Sequence, residues 1–403
     1  MAVESTQRSS LSSERPPFRL ARLRLPLLTF LVVVVYGGFH FRDELVSPAL
    51  QSDIAGYVRA FDRVEAGGDP YAERGYLYTP VFAVGGNALY RWIGAERFVL
   101  AFRVGLLLGV WLLVWMSLRA VRWPAVAVLG ASALVVWSGL LDNGIHCANA
   151  TPLLAGPLAV ALVLAERRPW LGGLLAGSIN AWKPLGVTAL AVTATPGTPE
   201  RGWRPQRWQL AFGLTALASL ALWLPIGREH LHRMLSRTRG LPDDLHHLSV
   251  HRALYQLGIH VPATVVFLLV TALGCAIARA WVIRHEQRVA LALAFSAMAV
   301  PVVNPNTLLL TLPLQALALD RAVARWRSGA ASPTLRAAQL ALVAAAAVGI
   351  HGALGTVAIH GLRGALGGLV TLIPHAEVLF LALYAVVRRR SDAAPADRPL
   401  VPV

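Results

Sequence analysis

Residues 51 to 80, QSDIAGYVRAFDRVEAGGDPYAERGYLYTP, crowd Asp53, Asp62, Glu65, Asp69 and Glu73 into one short stretch of an otherwise apolar chain. Tyr57, Tyr71, Tyr76 and Tyr78 lie between the acids, and Gly67, Gly68 and Pro70 turn the backbone. Charge is costly beside lipid, so an acidic, aromatic-rich stretch just after a first apolar segment points to a site. Simple solvation of a loop accounts for most of these acids. Asp53 stands apart, about a dozen residues past the first apolar segment and opening an Asp53-Ile54-x-x-Tyr57 pattern. A carboxylate held at the lipid surface suits a general base that faces a lipid-borne substrate.

Lys183 is the one lysine of the chain and sits between Trp182 and Pro184. Its ammonium either snorkels to the interface as an anchor or clamps a phosphate, a pairing that strengthens in low dielectric. The helix-breaking proline beside it favours the clamp. Between two apolar runs, Asp142-Asn143-Gly144-Ile145-His146-Cys147-Ala148-Asn149 forms a polar knot. Turn formation explains its first three residues, while His146 and Asn149 could meet substrate hydroxyls if the turn folds inward. Asn304-Pro305-Asn306 interrupts a later apolar run and reads equally as a kink or as two amides lining a cavity floor. His230, His232, His246, His247 and His251 share a polar segment with Asp243-Asp244. His247 and His251 have the i, i+4 spacing of a metal pair, but no glutamate completes an HExxH pattern, so no metal site is expected. Cys147 and Cys275 read as buried small residues and make no disulfide framework.

The elements that must position these residues follow from composition. Of 403 residues, 56% are hydrophobic and 14% charged, against about 25% charged in soluble domains. Repeated apolar runs of membrane-spanning length imply one polytopic, all-α bundle. The formal net charge of +16 does not indicate nucleic acid, because the arginines fall in short clusters between apolar runs. P-loop, GxGxxG, GxSxG and CxxC patterns are all missing, which excludes a soluble-type nucleotide-using catalytic domain.

A cytoplasmic tail over 1–24 precedes an uncleaved first span at 25–41, and a tail over 391–403 reads as disordered. Further spans are expected at 98–118, 123–141, 150–165, 169–182, 185–197, 208–226, 262–283, 288–303, 307–320, 336–359 and 366–387. The short run at 77–92 carries Pro80, Gly85, Gly86 and Asn87, and the arginines decide whether it crosses. If it stays re-entrant at the outer face, Arg119/Arg122, Arg167/Arg168, Arg201/Arg204/Arg207, Arg284/Arg288, Arg321/Arg325/Arg327 and Arg388–Arg390 all share the side of the N-terminus. That gives about twelve crossings, with both termini in the cytoplasm of a bacterial-type plasma membrane. One transmembrane domain over 25–390 then carries two external loops, an acidic one at 42–97 with short or re-entrant helices and a histidine-rich one at 227–261. The acids, the polar knot, the Lys183-Pro184 break and Asn304–Asn306 fall on the external side, as an active site cut into a helical bundle would.

In order, Asp53-Ile54-x-x-Tyr57, Gly68-Asp69-Pro70-Tyr71 and Tyr78-Thr79-Pro80-Val81-Phe82 resemble glycosyltransferase family 87. So do Asn149, Arg167-Arg168, Gly172-Gly173-Leu174-Leu175-Ala176-Gly177 and Trp182-Lys183-Pro184, and the resemblance covers about residues 50 to 190. That family includes polyprenyl-phosphate-mannose-dependent mannosyltransferases. Where it carries an Asn-Gln-Ser element this chain has His247-Leu248-Ser249, and where it carries a Trp/His motif this chain reads Val303 to Thr307. The resemblance implies a C-type membrane glycosyltransferase fold, a polyprenyl-phosphate-linked sugar donor and a lipid or glycan acceptor. It implies inverting transfer in one step, without metal or other cofactor. Asp53 would be the general base and Lys183 the holder of the donor phosphate. Tyr57, Asp69, Tyr71, Tyr78, His146, Asn149, Ser249, Asn304 and Asn306 would shape the substrate sites. The alternatives are a transporter or flippase of a lipid-linked sugar, or transfer of another such sugar, for example arabinofuranose. A transporter predicts internal repeats and polar residues at mid-membrane depth, whereas polarity here gathers at one face.

Overall fold

The computed structural model describes residues 18–47, 52–73, 76, 78–121, 123–194, 207–221, 232, 248–281, 284–300, 303–329, 332–351 and 364–386. Among the described residues every regular element is a helix. The chain enters along α1 (Phe18–Phe30), which continues through a π-helical stretch, Leu31–Tyr36, into α2 (Gly37–His40). After α3 (Arg42–Val46) come α4 (Ser52–Glu65), α5 (Pro80–Ile93) and the long α6 (Ala95–Arg119). Then α7 (Ala125–Val136) and α8 (Gly139–Cys147) lead to α9 (Ala150–Arg167). Next are α10 (Pro169–Trp182), α11 (Gly186–Ala194) and α12 (Arg207–Ala221). The remainder comprises α13 (Val250–Gln256), α14 (Ala263–Trp281) and α15 (His285–Ala299). A 3-10 stretch, Pro305–Thr311, then runs into α16 (Leu312–Ser328), followed by α17 (Pro333–His351) and α18 (Gly364–Val386). The tails at 1–17 and 391–403, and most of the segment expected as the loop at 227–261, lie outside the described residues.

Among the described residues six helices are long and apolar enough to cross a membrane: α6, α9, α14, Pro305–Ser328, α17 and α18. The pair α7 and α8, bent by 47°, makes up to a seventh. The protein is thus an all-α polytopic membrane bundle. Fewer helices meet the length test than the roughly twelve apolar runs in the sequence, and the reason is local. α10 stops after 14 residues, where Lys183 leaves helical geometry just before Pro184. At 1.5 Å per residue such a helix reaches about 21 Å, short of the roughly 30 Å hydrocarbon core. α15 is short as well, with 15 residues.

Glycines let these helices approach closely. Gly105 abuts Leu153, Gly109 meets the backbone of Pro152 and Leu153, and Gly156 fits against Gly109 and Leu112, so α6 and α9 run side by side in parallel. Gly172 lies against Ala161 and Ala165 of α9, while Gly173 and Gly177 lie against Trp208 and Phe212 of α12. That layer of small residues wedges α10 between its neighbours, which is how helices pack where lipid removes the hydrophobic drive. α15 is the innermost element, with every residue from Val289 to Ala299 buried. A helix apolar all round belongs in such a place.

The acidic stretch folds as α4 and a 3-10 turn, Pro70–Ala72. α4 buries Ile54, Tyr57, Val58 and Phe61 and exposes Arg59, Asp62 and Arg63, an i, i+3, i+4, i+7 stripe. Phe61 and Tyr57 then pack on Phe82 of α5, with ring centroids 5.9 and 5.0 Å apart.

Candidate functional site

Four chain breaks meet at one end of the bundle: the start of α4, the junction of α8 with α9, the end of α10, and Tyr78-Thr79 before α5. α8 ends with Ala148 in the left-handed region at φ 51°, which frees Asn149 from the helix. Such a conformation costs a non-glycine residue about 1–2 kcal/mol. Asn149 then caps α9: its Oδ1 accepts from the Thr151 N–H at 2.9 Å. The same carboxamide links the two charged candidates. Its Nδ2 donates to Asp53 Oδ2 at 2.5 Å, and its Oδ1 accepts from Lys183 Nζ at 3.1 Å.

Lys183 has two further acceptors, Thr151 Oγ1 at 2.6 Å and the Tyr78 hydroxyl at 3.2 Å. An ammonium carries three donors, so neutral acceptors engage all of them. Its nitrogen also lies 4.9 Å from the centroid of the Tyr78 ring, within cation–π range. Tyr57 donates to the Tyr78 hydroxyl at 2.6 Å and accepts from the Ala150 N–H at 3.3 Å. Asp53 and Lys183 are half-buried, while Asn149, Thr151, Tyr57 and Tyr78 between and beneath them are buried. The charged groups therefore reach towards the outside from a base that is closed to water.

Helix ends add to this field. The N-terminus of α9 points its free amides at Tyr57 and Asn149, and the C-terminus of α10 carries Lys183 as its cap. Anions gain at the first kind of end and cations at the second, by about 0.3–1 kcal/mol each when exposed. Burial, with the neighbouring phenol and Asp53 adding to it, pushes the Tyr57 hydroxyl well above the usual tyrosine range. Tyr78 is pushed up by burial and then by Asp53. Both phenols stay protonated. In the break between α10 and α11, burial pulls the Lys183 ammonium down to about 8, and the charge of Asp53 opposes that shift.

The motif around Thr79 fixes the fourth corner. Thr79 caps α5, with its side chain accepting from the Phe82 N–H, and Pro80 starts the helix where its missing N–H does no harm. The Thr79 hydroxyl also donates to the last carbonyls of α10, those of Ala181 and Trp182. One threonine thus ends α10, begins α5 and sets Tyr78 above Lys183. Tyr71 donates to the Tyr78 carbonyl at 3.2 Å, and Tyr76 to that of Thr79 at 2.9 Å.

Other candidates fall elsewhere. Asp69 accepts from the Tyr71 N–H at 2.8 Å and caps the 3-10 turn Pro70–Ala72. Ser249 caps α13 through the Arg252 N–H. His146 is exposed on α8. Asn304 precedes the 3-10 stretch, and Asn306 donates to Asn143 Oδ1 at 3.0 Å, tying that stretch to α8. His251 is buried in α13, whereas His230, His246 and His247 lie outside the described residues. The remaining acids of the stretch are ion-paired: Glu73 with Arg59 at 3.0 Å, and Asp62 and Glu65 with Arg91. Thr151 was not legible in the sequence as part of this site, and Thr79 stood out only as a member of the Tyr78–Phe82 motif. Their signal was only positional, since a threonine beside a proline at a helix start is ordinary.

Compared with known protein families, curated proteins and solved structures, the chain matches none.

Proposed function

We propose that this protein is a membrane glycosyltransferase, moving a sugar from a polyprenyl-phosphate donor to the hydroxyl of a lipid or glycan acceptor on the extracytoplasmic side. The observation that carries this reading is the Asp53–Asn149–Lys183 arrangement, in which one buried carboxamide holds a carboxylate and an ammonium at its two ends. A base and a phosphate-sized cation site one amide apart are what attack at a sugar C1 and departure of a phosphate require. Mannose, the usual sugar of the family that the sequence resembles, is the first donor to try.

In the proposed step Asp53 takes the proton of the acceptor hydroxyl. The acceptor oxygen then bonds to C1 while the C1–O bond to phosphate breaks, and its electron pair leaves with the polyprenyl phosphate. Attack opposite the leaving group inverts the anomeric centre. Negative charge grows on the phosphate as the bond breaks, so Lys183 and the N-terminus of α9 stabilise the transition state more than the bound donor. A phosphate oxygen reaches Lys183 by replacing one of its three neutral acceptors, and Tyr78, at 3.2 Å, is the longest held. Phosphate leaves as a stable anion, so one carboxylate suffices where glycoside hydrolases use two.

The test is transfer from radiolabelled polyprenyl-phosphate-mannose in membranes that hold wild type or Asp53→Asn. Label should pass to a new lipid or glycan with wild type and fall by at least about a hundredfold in the variant. Normal product from Asp53→Asn would remove the base. Movement of intact donor across the bilayer by both proteins, without new product, would replace the transferase with a transporter.

A further inference from the structure

The ammonium of Lys183 rests on three neutral oxygens, and they are not equivalent. Asn149 Oδ1, at 3.1 Å, divides its acceptance with the Thr151 N–H at 2.9 Å. The Tyr78 hydroxyl, at 3.2 Å, also accepts from Tyr57 at 2.6 Å. Thr151 Oγ1 makes the shortest of the three bonds, 2.6 Å, and among the described residues it accepts from Lys183 alone. Thr151 is wholly buried in the first turn of α9, and its own N–H is already held by the Asn149 side chain. A β-branched side chain in a helix keeps few χ1 rotamers, so this oxygen is fixed in place and closed to water.

A hydrogen bond accepted from an ammonium favours the charged form over the free amine. Burial works against that form and the charge of Asp53 works for it, which leaves Lys183 at about 8. Two titratable groups face the ammonium: Asp53 of α4, at the far end of the Asn149 amide, and Tyr78 ahead of α5. From α9 it meets the neutral Asn149 and Thr151. At a wholly buried position solvent does not take the place of a lost hydroxyl, so removing this one leaves the charge poorer by a full bond.

We propose that Thr151 is a positioning residue, whose Oγ1 holds Lys183 in its charged form and so keeps the ammonium ready for an anion. Thr151 touches no substrate and acts through Lys183. That the anion is the donor phosphate rests on the function proposed above, whereas the coupling of Thr151 to Lys183 does not.

Lys183 is the one lysine of the chain, so the full chain labelled with 15N-lysine gives a single side-chain nitrogen signal, followed by NMR in detergent over a pH series. Thr151→Val, of nearly the same shape, should lower the titration midpoint by about one pH unit or more, the worth of one hydrogen bond to a charged group. Thr151→Ser keeps the hydroxyl and should restore the wild-type midpoint. Thr151→Cys, whose sulfur accepts weakly, should move it as valine does and serves should the valine variant fail to fold. Equilibrium binding of polyprenyl phosphate reads the consequence. Thr151→Val should bind it about fivefold more weakly than wild type at pH 8, a difference that closes at low pH, where both lysines are charged. An unshifted midpoint in Thr151→Val, a shift that Thr151→Ser does not undo, or a binding defect of one size at every pH would each overturn the proposal. Polyprenyl phosphate that fails to bind wild type would count against the donor site instead, and the nitrogen titration would still decide the role of Thr151.

Discussion

Asn149→Asp isolates what the shared carboxamide does. The new side chain has nearly the same shape and caps a helix as well as asparagine does, so α9 keeps its start. Its carboxylate can still accept from Lys183 and from the Thr151 N–H, now held at 3.1 and 2.9 Å. What disappears is the donor that lies 2.5 Å from Asp53 Oδ2. A hydrogen bond to an ionised acceptor is worth about 1.5–3 kcal/mol, and about 1.4 kcal/mol is tenfold in rate. Loss of orientation alone therefore predicts a drop of about 10- to 100-fold at neutral pH. A second effect has a definite sign. Two carboxylates in contact share a proton, so the apparent pKa of the base rises. Because the base works when deprotonated, the acid limb of the pH–rate profile should move to higher pH by about one unit or more. The assay is label transfer in membranes over a pH series, with thermal unfolding in detergent as the folding control. A rate and an acid limb unchanged in Asn149→Asp would refute the claim that Asn149 positions Asp53.

Two further outcomes follow from the same geometry. Lys183 loses its proton near pH 8 in the free protein, so donor binding should weaken as pH rises through that value, by about tenfold per unit above it. Titrating the donor's dissociation constant between pH 6 and 10 checks this, and a flat profile would separate Lys183 from the phosphate. Gly173→Val forces a branched side chain into the backbone of Trp208. It should destabilise by about 1–3 kcal/mol or more through overpacking, read as a lower unfolding midpoint in detergent, whereas Gly213→Ala, with open space around it, should change little.

The charges of the site were legible from their positions in the sequence. Lys183 is the one lysine, set in apolar sequence, and Asp53 is the acid of its stretch nearest the first apolar segment; both fall at one end of the bundle. The bond between them was not legible. Asp53 and Asn149 are 96 positions apart, and Asn149 and Lys183 are 34 apart. Only the parallel course of α6 and α9, set by Gly105, Gly109 and Gly156, brings the start of α9 up to α4. Asn149, a candidate for the substrate site, is buried and joins Asp53 to Lys183. Asp69 and Ser249 likewise serve the backbone, since a short polar side chain before a helix meets an unpaired N–H before it meets anything else. Of the acids that made the stretch conspicuous, Asp62, Glu65 and Glu73 are taken up by Arg59 and Arg91. Exposed pairs of that kind contribute little to stability.

The shortness of α8 and α10 and the composition of the site have one cause. α8 ends at Ala148 and α10 at Lys183, and those breaks leave terminal carbonyls and amides inside a bundle where water cannot reach them. Asn149 and Thr79 answer those groups with their side chains, and Asn149 then has a second polar atom left over. In Asn149 that atom is the amide nitrogen, which grips Asp53. In the break itself Lys183 supplies donors to Thr151, Asn149 and Tyr78. An unbroken α10 would span more of the membrane but would point residue 183 along a helix side, with no carbonyl ends to gather around. Helix ends, rather than loops, hold the base and the cation, and such supports keep a constellation rigid.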